Sequence, residues 1–184
     1  MNRLTLPCSL LFAASALSAC GVDPQIDSQT QGLETRPAKL YLSGPILSRL
    51  QARAAAGDAA WVALKARCDA RVNATFNAPK GAAYPNYPNV GSGYQGDEYL
   101  APVMELGLCY RVVRGVNATA EAAYGAAGGR LLDAISTPVA SGGAVPSTDS
   151  GFGIRFYGTS LATGFDWFYP ALSATTRTRV ITAL

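Results

Sequence analysis

The sequence predicts an all-α fold of antiparallel helical hairpins, and three observations carry that expectation. Apolar residues recur at steps of three and four along most of the chain after residue 43. No stretch alternates apolar and polar residues for long enough to make a strand of useful length, so β structure is at most minor. Clusters of Gly, Pro, Ser and Thr interrupt the periodic stretches where helices would turn back. Of 184 residues, 49% are hydrophobic and 15% charged. That balance argues against intrinsic disorder and suits one ordinary domain.

Ser43-Gly44-Pro45 reads as a helix start, with Ser as cap and Pro in the first turn. Ile46, Leu47, Leu50 and Ala54 then share a face. Gly57-Asp58 breaks and restarts the pattern. Trp61, Leu64, Cys68, Val72 and Phe76 step by 3, 4, 4 and 4, with Lys65, Arg67, Asp69 and Arg71 on the opposite side of this amphipathic helix. Residues 77–96 hold three Pro and four Gly and read as a loop, in which Tyr84, Tyr87 and Tyr94 either pin the loop to the domain or rim a ligand site. Asp97-Glu98 opens a helix with acids at the favourable end of its dipole. Leu100, Val103, Met104, Leu108, Val112 and Val113 cover more than one of its faces, as in a helix buried on most sides.

Asn117 is placed to cap a helix over about 118–136, with Tyr124, Leu131, Leu132 and Ile135 on its face. Gly125, Gly128 and Gly129 either allow close helix packing or interrupt it. Thr137 to about Tyr157 reads as a second loop. Leu161, Phe165, Phe168 and Leu172 mark the next helix, and Ser173 caps a last one carrying Val180, Ile181 and Leu184. The apolar pattern is still running at residue 184. Phe165, Phe168, Val180 and Ile181 are therefore expected on an open apolar face.

The first residues read as an address. Met1-Asn2-Arg3 is a short positive segment, and Leu4–Leu17 is an apolar run shorter than the roughly 20 residues that span a bilayer. Leu17-Ser18-Ala19-Cys20 matches the bacterial lipobox, which implies cleavage after residue 19 and lipid attachment at Cys20. The expected location is the cell envelope, at the outer membrane or its periplasmic face. Residues 20–35 are polar, carry Pro and Gly, and read as a flexible tether reaching roughly 20–25 Å.

The residue inventory excludes several chemistries. There is no His, which removes any Ser-His-Asp or Cys-His nucleophile and the His-containing zinc sites. The four Cys are not closely paired, so no metal site and no cofactor are expected. A net charge of +3 is too small for a nucleic-acid-binding stripe. Arg outnumbers Lys by 12 to 3, which favours forked contacts to anions. With Cys8 in the address and Cys20 in the lipobox, Cys68 and Cys109 remain. They form a disulfide if their Cα atoms lie within about 7 Å, or serve separately as small core residues.

The helices alternate between amphipathic and nearly all-apolar. A ring with buried inner and half-exposed outer helices, the α/α toroid, satisfies that alternation. Arg36-Pro37-Ala38-Lys39-Leu40-Tyr41-Leu42, followed by Pro45-Ile46-Leu47-Ser48-Arg49-Leu50, resembles the opening of heparinase II/III-like and alginate-lyase-like polysaccharide lyases. Residues 161–184, with Phe165-Asp166-Trp167-Phe168-Tyr169 in place of the family's Tyr-Asp-Trp-Leu-Tyr, resemble a later hairpin of the same family. Helical glycosidases of the same ring architecture open similarly. The resemblance spans 36–184 and implies the N-terminal portion of an incomplete toroid, truncated before the family's Asn-His and Tyr motifs.

What the resemblance implies is β-elimination in a uronic-acid-containing polysaccharide, in which a base removes the C5 proton while the sugar carboxylate is neutralised. This portion is expected to be inactive alone. The second reading is a non-catalytic helical surface lipoprotein that binds glycans or a protein partner. Candidate contacts to an acidic polysaccharide or oligosaccharide are Tyr94 and Gln95 at the entrance to a buried helix, Arg155 and Tyr157, and Trp167. Arg155 suits a carboxylate, or pairs with Asp149 or Asp166. Trp167 offers a face for stacking on a sugar ring, or packs in a core. No catalytic residue is assigned.

Overall fold

The computed structural model describes residues 40–76, 97–142, 145–147 and 152–184. Among these residues lie six α-helices and no strand: α1 Gly44–Ala55, α2 Ala59–Arg71, α3 Asp97–Val113, α4 Ala118–Ala140, α5 Phe152–Phe168 and α6 Ala174–Ala183. A 3-10 turn, Tyr169–Ala171, joins the last two. None of these helices is long and apolar enough to cross a membrane. The lipobox, the tether, Tyr94 and Gln95 lie outside the described residues.

Three helix starts use side-chain caps that satisfy otherwise orphaned N–H groups. Asp58 accepts from the N–H groups of Ala60 and Trp61, Asn117 from Ala120 and Ser173 from Thr176. Ser43, expected to cap α1, makes no such bond, and α1 relies on Pro45 in its first turn.

Residue pairs fix the helix directions. Cys68 meets Cys109 and Arg71 meets Glu105, so α2 and α3 run antiparallel. Arg114 pairs with Glu121, and a Cβ added to Gly125 would press on the Tyr110 ring, so α4 runs back along α3. Tyr99 packs on Tyr157 and Tyr110 on Phe168, which makes α3 and α5 parallel. The most extensive packing is between α3 and α5, then between α3 and α4 and between α4 and α6. Alternate helices are thus neighbours. Val103, Leu106 and Tyr110 of α3 and Tyr157, Leu161 and Phe168 of α5 lie in one core with Tyr124, Leu131 and Ile135 of α4. Each such side chain taken from water contributes about 1.5–3 kcal/mol.

Close approach of α4 to α5 depends on missing side chains. A Cβ at Gly128 would sit 2.3 Å from the Phe168 ring, and one at Gly164 would sit 2.5 Å from Leu132. Gly125 and Gly128 are close-packing positions in an unbroken helix, whereas Gly129 faces open space. This contact corrects one expectation. Phe168 and Val180 are fully buried, and the exposed large apolar residues of the last two helices are Ile154, Ile181 and Leu184.

The second expected loop, 137–157, is mostly helix at its two ends. Pro138 falls in the last turn of α4, and the Ser136 and Thr137 hydroxyls donate to the carbonyls of Leu132 and Asp133 as the helix runs on to Ala140. At the other end, Tyr157 extends the buried stripe Leu161, Gly164 and Phe168 backwards by one turn. Burial of that stripe against α3 outweighs the weak helix propensity of Gly153 and Gly158.

The Cys68–Cys109 disulfide forms, with Cα atoms 6.6 Å apart. Glu105 beside it accepts from Arg67 at 2.7 Å and from Arg71 at 2.9 Å. A separate small cluster seats α1: Leu42, Ile46 and Leu50 pack with Met104, Leu108 and Trp167.

Candidate functional site

Because α3 and α5 are parallel, their first turns share one end of the bundle. Tyr99 and Tyr157 meet there edge to face, with ring centroids 6.0 Å apart. Both are buried, and Tyr157 is 2% exposed. Its ring forms part of a groove of about 230 Å³ lined also by Val139, Ile154, Gly158, Ala183 and Leu184. Arg155 is exposed and does not line this groove: two positions from Tyr157 on the same helix, it does not share that face, and its guanidinium lies 4.7 Å from the centroid of the Phe156 ring. Tyr and Arg are the residue types that elimination beside a carboxylate needs. The helix that Tyr94 and Gln95 precede begins at Asp97, at this same end.

Trp167 is not part of that end. Ten residues of α-helix separate it from Tyr157, about 15 Å. Arg155 and Asp166 are likewise about 16 Å apart along α5, so the pairing between them expected as one alternative does not form. The indole is 2% exposed, and its Nε1–H donates to the Leu40 carbonyl at 2.8 Å. The Leu40 N–H in turn donates to Asp166 Oδ2 at 3.0 Å. In this arrangement Trp167 is a core residue with no open ring face for a sugar.

Two clusters escaped the sequence reading. Arg111 lies on the buried helix α3, is 3% exposed, and its Nε has no hydrogen-bond partner among the described residues. Burial depresses its pKa, with Arg114 acting in the same sense and Asp166 opposing. The signal for it was an Arg between Tyr110 and Val112 in a helix apolar on most sides. The second cluster joins α2 to α4. Asp69 accepts from Lys65 at 2.7 Å and from the Tyr124 hydroxyl. These bonds hold the Asp69 carboxyl below its ordinary range, and burial together with Asp69 pushes the Tyr124 phenol up. Tyr124 thus donates a hydrogen bond that ties α4 to α2. The open groove beside it, about 400 Å³, also carries Asn73, Asn117 and Thr119. Among the described residues no three His, Cys, Asp or Glu side chains are placed to hold a metal.

The chain matches no protein-family model, and no curated protein or solved structure matches it significantly.

Proposed function

We propose that residues 36–184 form the N-terminal portion of an α/α toroid belonging to a polysaccharide lyase of the cell envelope, one that cleaves uronic-acid-containing chains by β-elimination. The observation that carries this reading is the packing of alternate helices: α3 lies parallel to α5 in the buried layer, and α4 packs against α6. A ring of hairpins needs that pairing, whereas an up-down bundle of four does not. A second observation agrees with it. The two segments that resemble the lyases touch, through Leu40 with Asp166 and Trp167.

In this reading Tyr157 and Arg155 lie at the substrate end of the ring. Cys20 carries a lipid that holds the chain at the membrane. The Cys68–Cys109 disulfide supports export, because such bonds persist in oxidising compartments. The chain supplies no His, so the base must come from Tyr or from helices beyond those described here. The test is to express the longest in-frame product containing this chain and incubate it with alginate and with glycosaminoglycans. The expected result is ultraviolet absorbance from an unsaturated uronide, lost in Arg155→Ala and Tyr157→Phe. Reducing ends released without that absorbance would make it a glycosidase instead.

The second reading is a non-catalytic glycan-binding lipoprotein, and the open groove of mixed lining, in which Lys65, Asp69, Asn73, Asn117 and Thr119 stand beside Val72, Ala120 and Tyr124, favours it. Saccharide binding by the chain with no cleavage of any polymer is its expected signature.

A further inference from the structure

Eleven residues along α3 from Tyr99, about 16 Å, the bundle carries an open groove of about 540 Å³. Tyr110 and Arg114 of α3 line one side, Ala118, Glu121 and Ala122 of α4 the other, and Pro170 of the 3-10 turn adds an apolar surface. Steps of three and four place each of these sets on one face of its helix. A phenol, a cation and an anion therefore share one groove with small apolar side chains.

Tyr110 is 2% exposed, its ring packs on Phe168, and its hydroxyl makes no hydrogen bond among the described residues. A hydroxyl on so buried a side chain ordinarily has a partner. Burial pushes the phenol pKa up; Arg114 pulls it down and Glu121 pushes it up, so both charges of the groove reach the same oxygen. The phenol is protonated at neutral pH and able to donate. Arg114 and Glu121, each about a third exposed, stand 3.6 Å apart, too far for a hydrogen bond. Arg53–Asp58 and Lys65–Asp69, by contrast, close to 2.8 and 2.7 Å. The Gly115 N–H donates to Glu121 Oε2 at 2.8 Å, which fixes the carboxylate with Oε1 on the Arg114 side.

We propose that this groove binds a free α-amino acid with an apolar side chain. The ligand carboxylate accepts from the Arg114 guanidinium and the Tyr110 hydroxyl, and the ligand ammonium donates to Glu121 Oε1. The ligand side chain lies along Ala118, Ala122 and Pro170. Inserting a zwitterion replaces one long ion pair by two charge-assisted hydrogen-bonded ones and gives the phenol its partner. A simple anion meets the charge of Glu121 and a simple cation meets that of Arg114, so the pair selects a ligand that carries both signs. The groove shares no residue with the Arg155–Tyr157 end, and neither outcome of the lyase assay bears on it.

The test is titration calorimetry of the full chain with L-leucine, and with isocaproate and isoamylamine, which lack its ammonium and its carboxylate respectively. Leucine should bind, and each analogue should bind at least about tenfold more weakly. Glu121→Gln should lower leucine affinity by about tenfold through loss of the anion, and Tyr110→Phe by about fivefold through loss of the donor. Circular dichroism checks that each variant is folded. The analogue comparison needs no variant, so it decides the question where a variant fails to fold. No leucine binding by the wild type overturns the proposal, as does an analogue that binds as tightly as leucine. Unchanged leucine affinity in folded Glu121→Gln or Tyr110→Phe overturns it as well.

Discussion

Leu40 and Trp167 stand 127 positions apart in the chain and are joined by a 2.8 Å hydrogen bond from the indole Nε1–H to the Leu40 carbonyl. The neighbouring Asp166 completes the clasp by accepting the Leu40 N–H. Trp167→Phe keeps an aromatic ring but removes the donor and leaves space behind. It should destabilise the fold by about 1–3 kcal/mol, read as a lower urea midpoint with an unchanged slope. An unchanged midpoint would show that the clasp contributes nothing.

The Cys68–Cys109 disulfide closes a sequence separation of 41 residues. In the chain-entropy account a loop of that length contributes about 4 kcal/mol. Urea unfolding with and without a thiol reductant should show a loss of that order. Equal stability under both conditions would falsify the assignment of this bond as a staple between α2 and α3.

Gly128 and Gly129 are adjacent yet should respond in opposite directions to Ala. At Gly128 the added methyl meets the fully buried Phe168 ring, and overpacking of this kind costs about 1–3 kcal/mol. At Gly129 it meets nothing, so the gain in helix propensity, up to about 1 kcal/mol, should appear as added stability. Thermal midpoints of the two variants that shift in the same direction would contradict the helix contact.

Acid should unfold the protein partly through Glu105 and Asp69. Burial raises the Glu105 pKa, but Arg67 and Arg71 outweigh it, so the net shift is downward. The Asp69 carboxyl is held down by Lys65 and then Tyr124. A carboxylate with a depressed folded-state pKa contributes stability that is complete above its unfolded value, about 4. That contribution is lost as pH falls through the folded value. Stability should therefore decline below about pH 4, and Glu105→Gln should flatten that decline. A variant with an acid limb as steep as wild type would rule out this carboxylate as a source.

Cys20→Ser should block lipidation and release the protein from the membrane fraction, or leave it unprocessed. Failure of the wild type to incorporate labelled fatty acid would remove the lipobox from the account.

Helix identity was largely legible from periodicity, because Trp61 and Leu64 do pack against the core and α3 is indeed buried on most sides; the expected helical stripe overran, since α2 ends at Arg71 and Val72 and Phe76 reach the core from beyond it. The caps at Asn117 and Ser173 were legible from residue type. Local pattern could not show what distance in the fold decides. The start of α5 at Phe152 depends on burial of Tyr157 against Tyr99, a contact across 58 positions. The pairing of Cys68 with Cys109 depends on the antiparallel approach of α2 and α3. Trp167 could be weighed as stacker or core from its type, but only its seat among Leu42, Ile46 and Met104 decides between them. Arg111 was visible as a charge in an apolar helix and was passed over.

The seat of α1 also fixes an order of events during synthesis. Leu42 and Ile46 dock on a cluster that includes Trp167. A chain emerging from its N-terminus presents α1 long before that indole exists. At about 5–20 residues per second, the 127 positions between Leu40 and Trp167 are made in roughly 6–25 s. Throughout that interval the apolar side of α1 lacks its main aromatic partner and is available to chaperones. Docking of the first helix is thus a late folding step, although it is the earliest helix made.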